Sequence, residues 1–509
     1  MTQNFRATKP VRRIGFLVVA AIAAASLHPR FVSRADAQSA GNPDAGTDAG
    51  LRAATSVPLA DRVANAIRAA RLQHAQIGVS IVDAASGQVV FEHHATDAFN
   101  PASNAKIVTA AVALSVIGPD HRYTTSLTGR SDGRTIRGGI VLRGGGDPSL
   151  RTADLFDLSR QVLARGIDRV EGGVIVDDRA LGSEHLPPAF DQQPRESAPF
   201  RAAVSAASID ENAITLRVAP ALTSGANAFV TLDPPGYTDL DGTIQSVTGA
   251  RPSVTFDASP IANGRERVRI GGQIPLSAAP AAYRRRLENP SVACGFALRA
   301  MLQTAGIRVN GDVRVDPAVD ARPVLASHES APLSALLYEV GKDSNNFYAE
   351  MTLLAIGAAD HPPAVTFAHA TDRVQQWLRD AGIDTTGVII RNGSGLFDSN
   401  RISPRVITGV LRTAWRDPAI RDEYIAQLAV GGDDGTLEHR IDVPGADRWV
   451  RAKTGTLDDA IALSGYVLSR DPGRTYVFSV LTNGVHGNQA EARRLADRIA
   501  RELVAEQMR

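Results

Sequence analysis

The sequence predicts a mixed α/β (α+β) chain: antiparallel strands flanked by helices, with a large β-rich insertion. Three observations carry this. Helix-patterned and strand-patterned segments occupy both ends of the chain, while over about 124–325 short strands alternate with Gly/Pro turns. Hairpin signals at Ala84-Ala85-Ser86-Gly87 and Arg470-Asp471-Pro472-Gly473 make their flanking strands antiparallel. At 509 residues the chain exceeds one ordinary core and suits two or three domains.

The N-terminus reads as an export signal over 1–37. Lys9, Arg12 and Arg13 supply positive charge, Ile14–Leu27 is apolar but too short to span a bilayer, and Ala35-Asp36-Ala37 offers a cleavage site. An uncleaved anchor is the alternative. The signal predicts a periplasmic protein, with at most peripheral membrane contact. Residues 38–57, rich in Ala, Gly, Asp, Ser and Pro, read as a flexible linker.

A helix is expected over Leu59–Leu72, then a hairpin of Gly78–Val82 and Val89–His93. The next helix should start at Asn100-Pro101, a cap followed by a residue suited to the first helical position, and end at Gly118-Pro119. In the insertion, strands are expected at Gly139–Arg143, Gly173–Asp177, Ala213–Val218, Phe229–Asp233 and Arg267–Gly271. Helices should cover Asp154–Ala164 and Pro290–Ala305. Gly144-Gly145-Gly146-Asp147-Pro148 lacks the Lys-Ser/Thr of a phosphate loop and reads as a turn. Helical patterns return at Leu333–Lys342, Asn345–Gly357 and Ala368–Ala381. Strands follow at Arg448–Lys453, Ala462–Leu468 and Thr475–Leu481, and a last helix carries Leu495, Ile499 and Leu503 on the face that should cover a sheet.

Composition excludes several functions. A net charge of +1 gives no global attraction to nucleic acid or anionic membrane. No Cys/His cluster or His-Glu-x-x-His suggests a metal, and the single cysteine, Cys294, excludes an intrachain disulfide and reads as a core residue.

Lysine usage points to the chemistry. Only four of the 55 basic residues are lysines: Lys9, Lys106, Lys342 and Lys453. Arginine does not lose its proton in a protein, whereas a buried lysine can. The surviving lysines are therefore candidates for a base or a compact charge. Lys106 closes a Ser-x-x-Lys begun by Ser103, and three positions on a helix share a face. A helix start and burial both disfavour the ammonium, so a neutral Lys106 could deprotonate Ser103. Ser344-Asn345-Asn346 sits at a helix junction: Ser344 can relay a proton and Asn346 can bind an amide. Lys453-Thr454-Gly455-Thr456 ends a strand. Lys453 and Thr454 could hold a carboxylate, and Gly455 would let substrate backbone approach closely.

In this order and spacing, the three motifs resemble those of penicillin-interacting serine enzymes. The long gap between the first two resembles the penicillin-binding protein 4 type of D-alanyl-D-alanine carboxypeptidase/endopeptidase. Further support comes from Phe99-Asn100-Pro101-Ala102-Ser103, Gly145-Gly146-Asp147-Pro148-Ser149-Leu150, Asn392-Gly393-Ser394-Gly395-Leu396 and Gly432-Asp433-Asp434-Gly435-Thr436-Leu437. The match covers about 56–505. It implies the penicillin-binding/serine β-lactamase-like transpeptidase fold, with a discontinuous catalytic domain (56–123 and 326–509) and inserted β-rich domain or domains (124–325).

The resemblance implies that Ser103 attacks D-alanyl bonds of peptidoglycan stem peptides with Lys106 as base. Ser344, aided by Lys106 or Lys453, passes a proton to the leaving amine. Asn346 positions the substrate amide, and Lys453 and Thr454 bind its carboxylate. The N–H groups of Ser103 and Thr456 form the oxyanion hole. β-Lactams would be inhibitors, and no cofactor is required. Asn104 and Asn345 depart from the usual threonine and aspartate, which bears on substrate preference, and Ser394 belongs to a family loop near the cleft. Lys342 either holds the Ser344 turn, adds positive potential, or is a surface residue. The alternatives are a β-lactamase or esterase on the same fold and a non-catalytic cell-wall-binding protein.

Overall fold

Two distant stretches of chain build one six-stranded antiparallel sheet. The computed structural model describes residues 57–249, 251–360, 365–471 and 473–509, so the expected export signal and nearly all of the linker lie outside the described residues. The sheet runs Ala429–Val430, Val450–Thr456, Ala460–Val467, Tyr476–Asn483, Gln76–Asp83, Val89–His93. Gln76–Asp83 pairs with Tyr476–Asn483 over its whole length, joining the two ends. The first hairpin turns at Asp83, whose carboxylate accepts from the Ser86 N–H at 2.7 Å, with Gly87 at φ +77°.

The side-chain alternation of these strands sorts two cores. Val79, Ile81, Phe478 and Val480 pack toward the first and last helices, Leu59–Ala69 and Gln489–Gln507. Glu502 and Glu506 of the last helix both bind Arg62 of the first. On the opposite face, Ser80 bonds Thr408 at 2.9 Å and the paired Ser464 and Ser479 bond each other at 2.9 Å. There lie helix Pro404–Arg416 and the central helix Ala105–Val116. The central helix is buried from Ala105 to Leu114, which explains its lack of a polar stripe.

The expected helix start at Asn100-Pro101 is displaced. A 3₁₀ turn, Ala102–Asn104, precedes an α-helix that begins at Ala105. Ala102 has φ +46°, which interrupts a helical run, and the Asn100 side chain accepts from the Ala102 N–H at 3.0 Å. Asn100 thus caps the turn that carries Ser103 rather than the helix.

The insertion opens with Thr124–Asp132 and closes with Val324–Glu329; these strands pair antiparallel, so its entry and exit lie side by side. They belong to a seven-stranded mixed sheet, and smaller two- and three-stranded sheets complete the region. Strand Val324–Glu329 runs past residue 325. The expected helices appear as Thr152–Ala164 and Pro290–Thr304, and Cys294 is buried there, its thiol pushed up by desolvation. Helix Pro404–Arg416 is absent from the sequence reading, although Ser403 caps it, Pro404 opens it, and Val406, Ile407, Val410 and Leu411 are buried at helical spacing.

Phe478 lies fully buried between strands and terminal helices. Phe478→Ala is expected to lower unfolding free energy by about 3–5 kcal/mol. A denaturant titration showing a loss below ~1 kcal/mol would contradict this placement.

Candidate active site

Ser103, Lys106, Ser344, Asn346, Lys453 and Thr454 meet where the central helix, helix Asn346–Ala358 and strand Val450–Thr456 converge. Ser103 Oγ lies 3.0 Å from Lys106 Nζ. That amine is 1% exposed and also reaches Asn346 Oδ1 at 2.7 Å and the Ser394 carbonyl at 2.8 Å. Burial pulls the Lys106 pKa down to about 7, against the opposing pull of Glu350.

Ser344 projects from the junction between helices Leu333–Gly341 and Asn346–Ala358 with φ +60°, a conformation that turns the chain sharply. Its Oγ accepts from Lys453 Nζ at 2.8 Å, and Lys453 also donates to the Thr454 carbonyl at 2.9 Å. Lys453 is fully buried; desolvation, then repulsion from Lys106, holds its pKa well below the ordinary value. The Thr454 hydroxyl bonds Thr436 at 2.8 Å, and Thr456 is exposed at the strand end.

Gly455 makes a close contact within the protein itself. A Cβ there would meet the Pro101 carbonyl at 3.0 Å and the Ala102 Cβ at 3.1 Å. The close approach is that of the Ser103 turn, so Gly455 seats the turn against the strand. The two motif departures also have structural partners. Asn104, fully buried, donates to the Lys453 carbonyl at 3.0 Å and ties turn to strand. Asn345 caps its helix by accepting from the Tyr348 N–H at 3.3 Å. It also donates to Glu211 at 3.3 Å. Both side chains are therefore engaged in holding the site together.

Lys342 pairs with Asp434 at 2.6 Å and donates to the Leu428 carbonyl at 3.1 Å. Its own carbonyl accepts from the Thr436 N–H at 3.0 Å. Of the three expectations, holding the turn before Ser344 fits these bonds. Ser394 is buried, and its carbonyl, not its hydroxyl, faces Lys106.

The sequence reading missed two acidic residues. Glu211 lies in the insertion at the middle of Asp210-Glu211-Asn212, all with positive φ. Its carboxylate binds Arg151 at 2.8 Å and Arg284 at 3.5 Å besides Asn345. Burial pushes its pKa up, but the two arginines outweigh this and hold it below the usual range. No motif marks it, because its partners come together only in the fold. Glu350, four residues after Asn346 and fully buried, accepts from the Gly393 and Ser394 N–H groups at 2.9 and 2.8 Å. A carboxylate on the buried face of an apolar helix was its signal.

A serine held by a buried, proton-poor lysine, beside a second serine–lysine pair on an antiparallel sheet, defines a serine acyl-transferring enzyme of the penicillin-binding/serine β-lactamase-like fold. The chain belongs to the D-Ala-D-Ala carboxypeptidase 3 (S13) family, whose model matches residues 59–503, and is thus a serine-type D-Ala-D-Ala carboxypeptidase. It is 34% identical over 437 residues to a D-alanyl-D-alanine carboxypeptidase of Actinomadura sp. (strain R39), covering 82% of this chain and 79% of the relative. It is 23% identical over 429 residues to the D-alanyl-D-alanine carboxypeptidase DacB of Haemophilus influenzae, covering 80% and 85%. The crystal structure of penicillin binding protein 4 (dacB) from Haemophilus influenzae shares the fold with TM-score 0.73 at 22% identity, over 87% of this chain and 98% of that one.

Gly395, at φ +74°, packs against the Ser103 turn so closely that a Cβ would lie 1.9 Å from the Ala102 carbonyl oxygen. Gly395→Ala should displace that turn. Misplacement on this scale is expected to slow reaction at Ser103 by about 100-fold. Stopped-time labelling with a fluorescent penicillin measures it; a rate within twofold of wild type would show the turn indifferent to this contact.

Proposed function

We propose that this chain hydrolyses terminal D-Ala-D-Ala bonds and D-alanyl cross-links of peptidoglycan through an acyl-enzyme on Ser103. The single observation that carries the reading is the 3.0 Å contact between Ser103 Oγ and a buried lysine whose pKa lies near 7. Such an amine is substantially neutral at neutral pH, close to the optimum for a general base.

In this reading Ser103 Oγ attacks the carbonyl of the penultimate D-alanine and its proton passes to Lys106. The oxyanion is received by the N–H groups of Ser103 and Thr456; one such donor typically contributes about 100–1000-fold to rate. Ser344 protonates the departing amine. Its 2.8 Å bond to Lys453 favours Lys453 over Lys106 as its supplier. The substrate carboxylate sits against Lys453 and Thr454, and its negative charge restores the affinity for a proton that burial removes from Lys453. Asn346 binds the substrate amide on the acyl side. Water then attacks the acyl carbon, its proton passing through Ser344 to the now neutral Lys453; the Oγ–carbon bond breaks and the Lys106 ammonium returns its proton to Ser103 Oγ.

β-Lactams acylate Ser103 in the same geometry, their carboxylate taking the terminal carboxylate's place; a Haemophilus influenzae relative has been solved with a novel beta-lactam. Peptidoglycan lies outside the cytoplasmic membrane, so the enzyme works after export, in the periplasm. Among the described residues no helix is long and apolar enough to cross a membrane.

Purified protein incubated with a fluorescent penicillin and denatured should carry the label covalently, and Ser103→Ala should not. Equal labelling would reject Ser103 as nucleophile. Digestion of purified peptidoglycan should release free D-alanine and separate cross-linked stem peptides; absence of both would reject the substrate.

The acylation rate should rise with pH through about 7, because Lys106 accepts a proton only when neutral. The sign is fixed: below that pH the ammonium predominates and the rate falls about tenfold per unit. A rate flat between pH 5 and 8 would exclude Lys106 as the base. Lys106→Arg, unable to become neutral, should be inactive.

A further inference from the structure

Lys106 Nζ has three close partners: Ser103 Oγ, Asn346 Oδ1 and the Ser394 carbonyl. Two of these can only accept. The Asn346 orientation follows from its other atom, since Nδ2 donates to the Phe200 carbonyl at 3.1 Å and leaves Oδ1 toward the lysine. A neutral amine has two hydrogens and one lone pair. The two carbonyl oxygens take both hydrogens, so the lone pair is left facing the Ser103 hydroxyl. The aim of the base therefore depends on what holds those carbonyls.

The Ser394 carbonyl lies on the Ser394–Gly395 peptide, whose N–H donates to Asn392 Oδ1 at 2.9 Å, and the two peptides before it are fixed by Glu350. The two Glu350 oxygens accept separately from the adjacent Gly393 and Ser394 N–H groups, at 2.9 and 2.8 Å, which locks this stretch of backbone. Thr109 reinforces the clamp by donating to the Gly393 carbonyl at 2.8 Å. Glu350 is fully buried on the same helix as Asn346, one turn on, so one helix controls both acceptors.

We propose that Glu350 is a positioning residue for acylation: its carboxylate clamps the Gly393–Ser394 backbone, thereby aims the Lys106 lone pair at Ser103, and supplies the buried negative charge beside which the Lys106 ammonium forms. This rests on the reading of Ser103 as nucleophile and Lys106 as base. In the step, the Ser103 O–H bond breaks and its proton joins Lys106 Nζ. The Oγ–carbon bond forms as the carbonyl electron pair moves to oxygen. Burial pushes the Glu350 pKa up, while the hydrogen bonds from Ser394 and Gly393 and the charge of Lys106 pull it down; two N–H donors, one on each oxygen, favour the ionised form. A positive charge thus appears where an opposite one is already fixed, so the charge-separated state is favoured without reorganisation.

The test is the pH profile of acylation by fluorescent penicillin, in full-length wild type, Glu350→Gln and Thr109→Val, with melting curves for each. Glu350→Gln removes the charge and turns an amide N–H₂ toward a backbone donor. It should slow acylation about 10–100-fold and move the acidic limb to lower pH by at least ~0.5 unit, because loss of the negative charge disfavours the ammonium. Thr109→Val loosens the clamp and leaves the charge, so it should slow acylation at least about threefold with the limb unmoved. A slower Glu350→Gln with an unmoved limb would show a merely structural role and overturn the proposal, as would a wild-type rate. If Glu350→Gln fails to fold, a wild-type rate in Thr109→Val overturns the clamp. Failure of the underlying reading is separate, since it appears as labelling of Ser103→Ala.

Discussion

The site depends on keeping two lysine amines in a place where neither can easily be charged. Lys106 and Lys453 are each 1% exposed, and burial lowers both. Removing a cation from water is unfavourable unless it is paired, and a lysine so placed releases its proton instead. The same desolvation that lowers the proton affinity of Lys106 makes its remaining hydrogens demanding, because every N–H must find an acceptor. The surrounding carbonyls meet that demand: Asn346 and Ser394 around Lys106, Thr454 beside Lys453.

This arrangement explains why so much of the neighbourhood is rigid backbone. The turn at Ser103 begins from an interrupted conformation at Ala102, and the turn at Ser344 has positive φ. Both are held from outside, the first by Asn104 on the Lys453 carbonyl and by Gly395 and Gly455 packing, the second by Lys342 and Asp434. The insertion takes part as well. Glu211, on a run of three positive-φ residues, reaches Asn345, and the Phe200 carbonyl receives Asn346. Backbone strain of this kind persists where the surroundings over-determine it, and here it lies beside the reacting groups.

Much of the architecture was legible in the chain. The strands Val89–His93 and Phe229–Asp233 and the helix beginning at Pro290 follow the expected patterns, because alternation and turn chemistry are local properties. The helix that carries Lys106 starts at Ala105 rather than at Asn100-Pro101, because a tertiary contact, the seating of Ala102 against Gly395 and Gly455, overrides a good local start. Helix Pro404–Arg416 carried capping and periodicity signals that went unread. Glu211 and Glu350 carried little that sequence distance could connect to the motifs.

By itself the sequence determined which groups are available: a serine three residues before one of four lysines, a second serine with an amide two positions on, and a third motif with its own lysine. A spacing of three also placed Ser103 beside Lys106, although the serine stands on the 3₁₀ turn and the lysine in the first turn of the α-helix that follows. Only the tertiary structure decided which lysine lies against which serine, which carbonyls surround each amine and which carboxylates stand behind them. Those are matters of burial and direction between segments separated by hundreds of residues, and a linear pattern specifies neither.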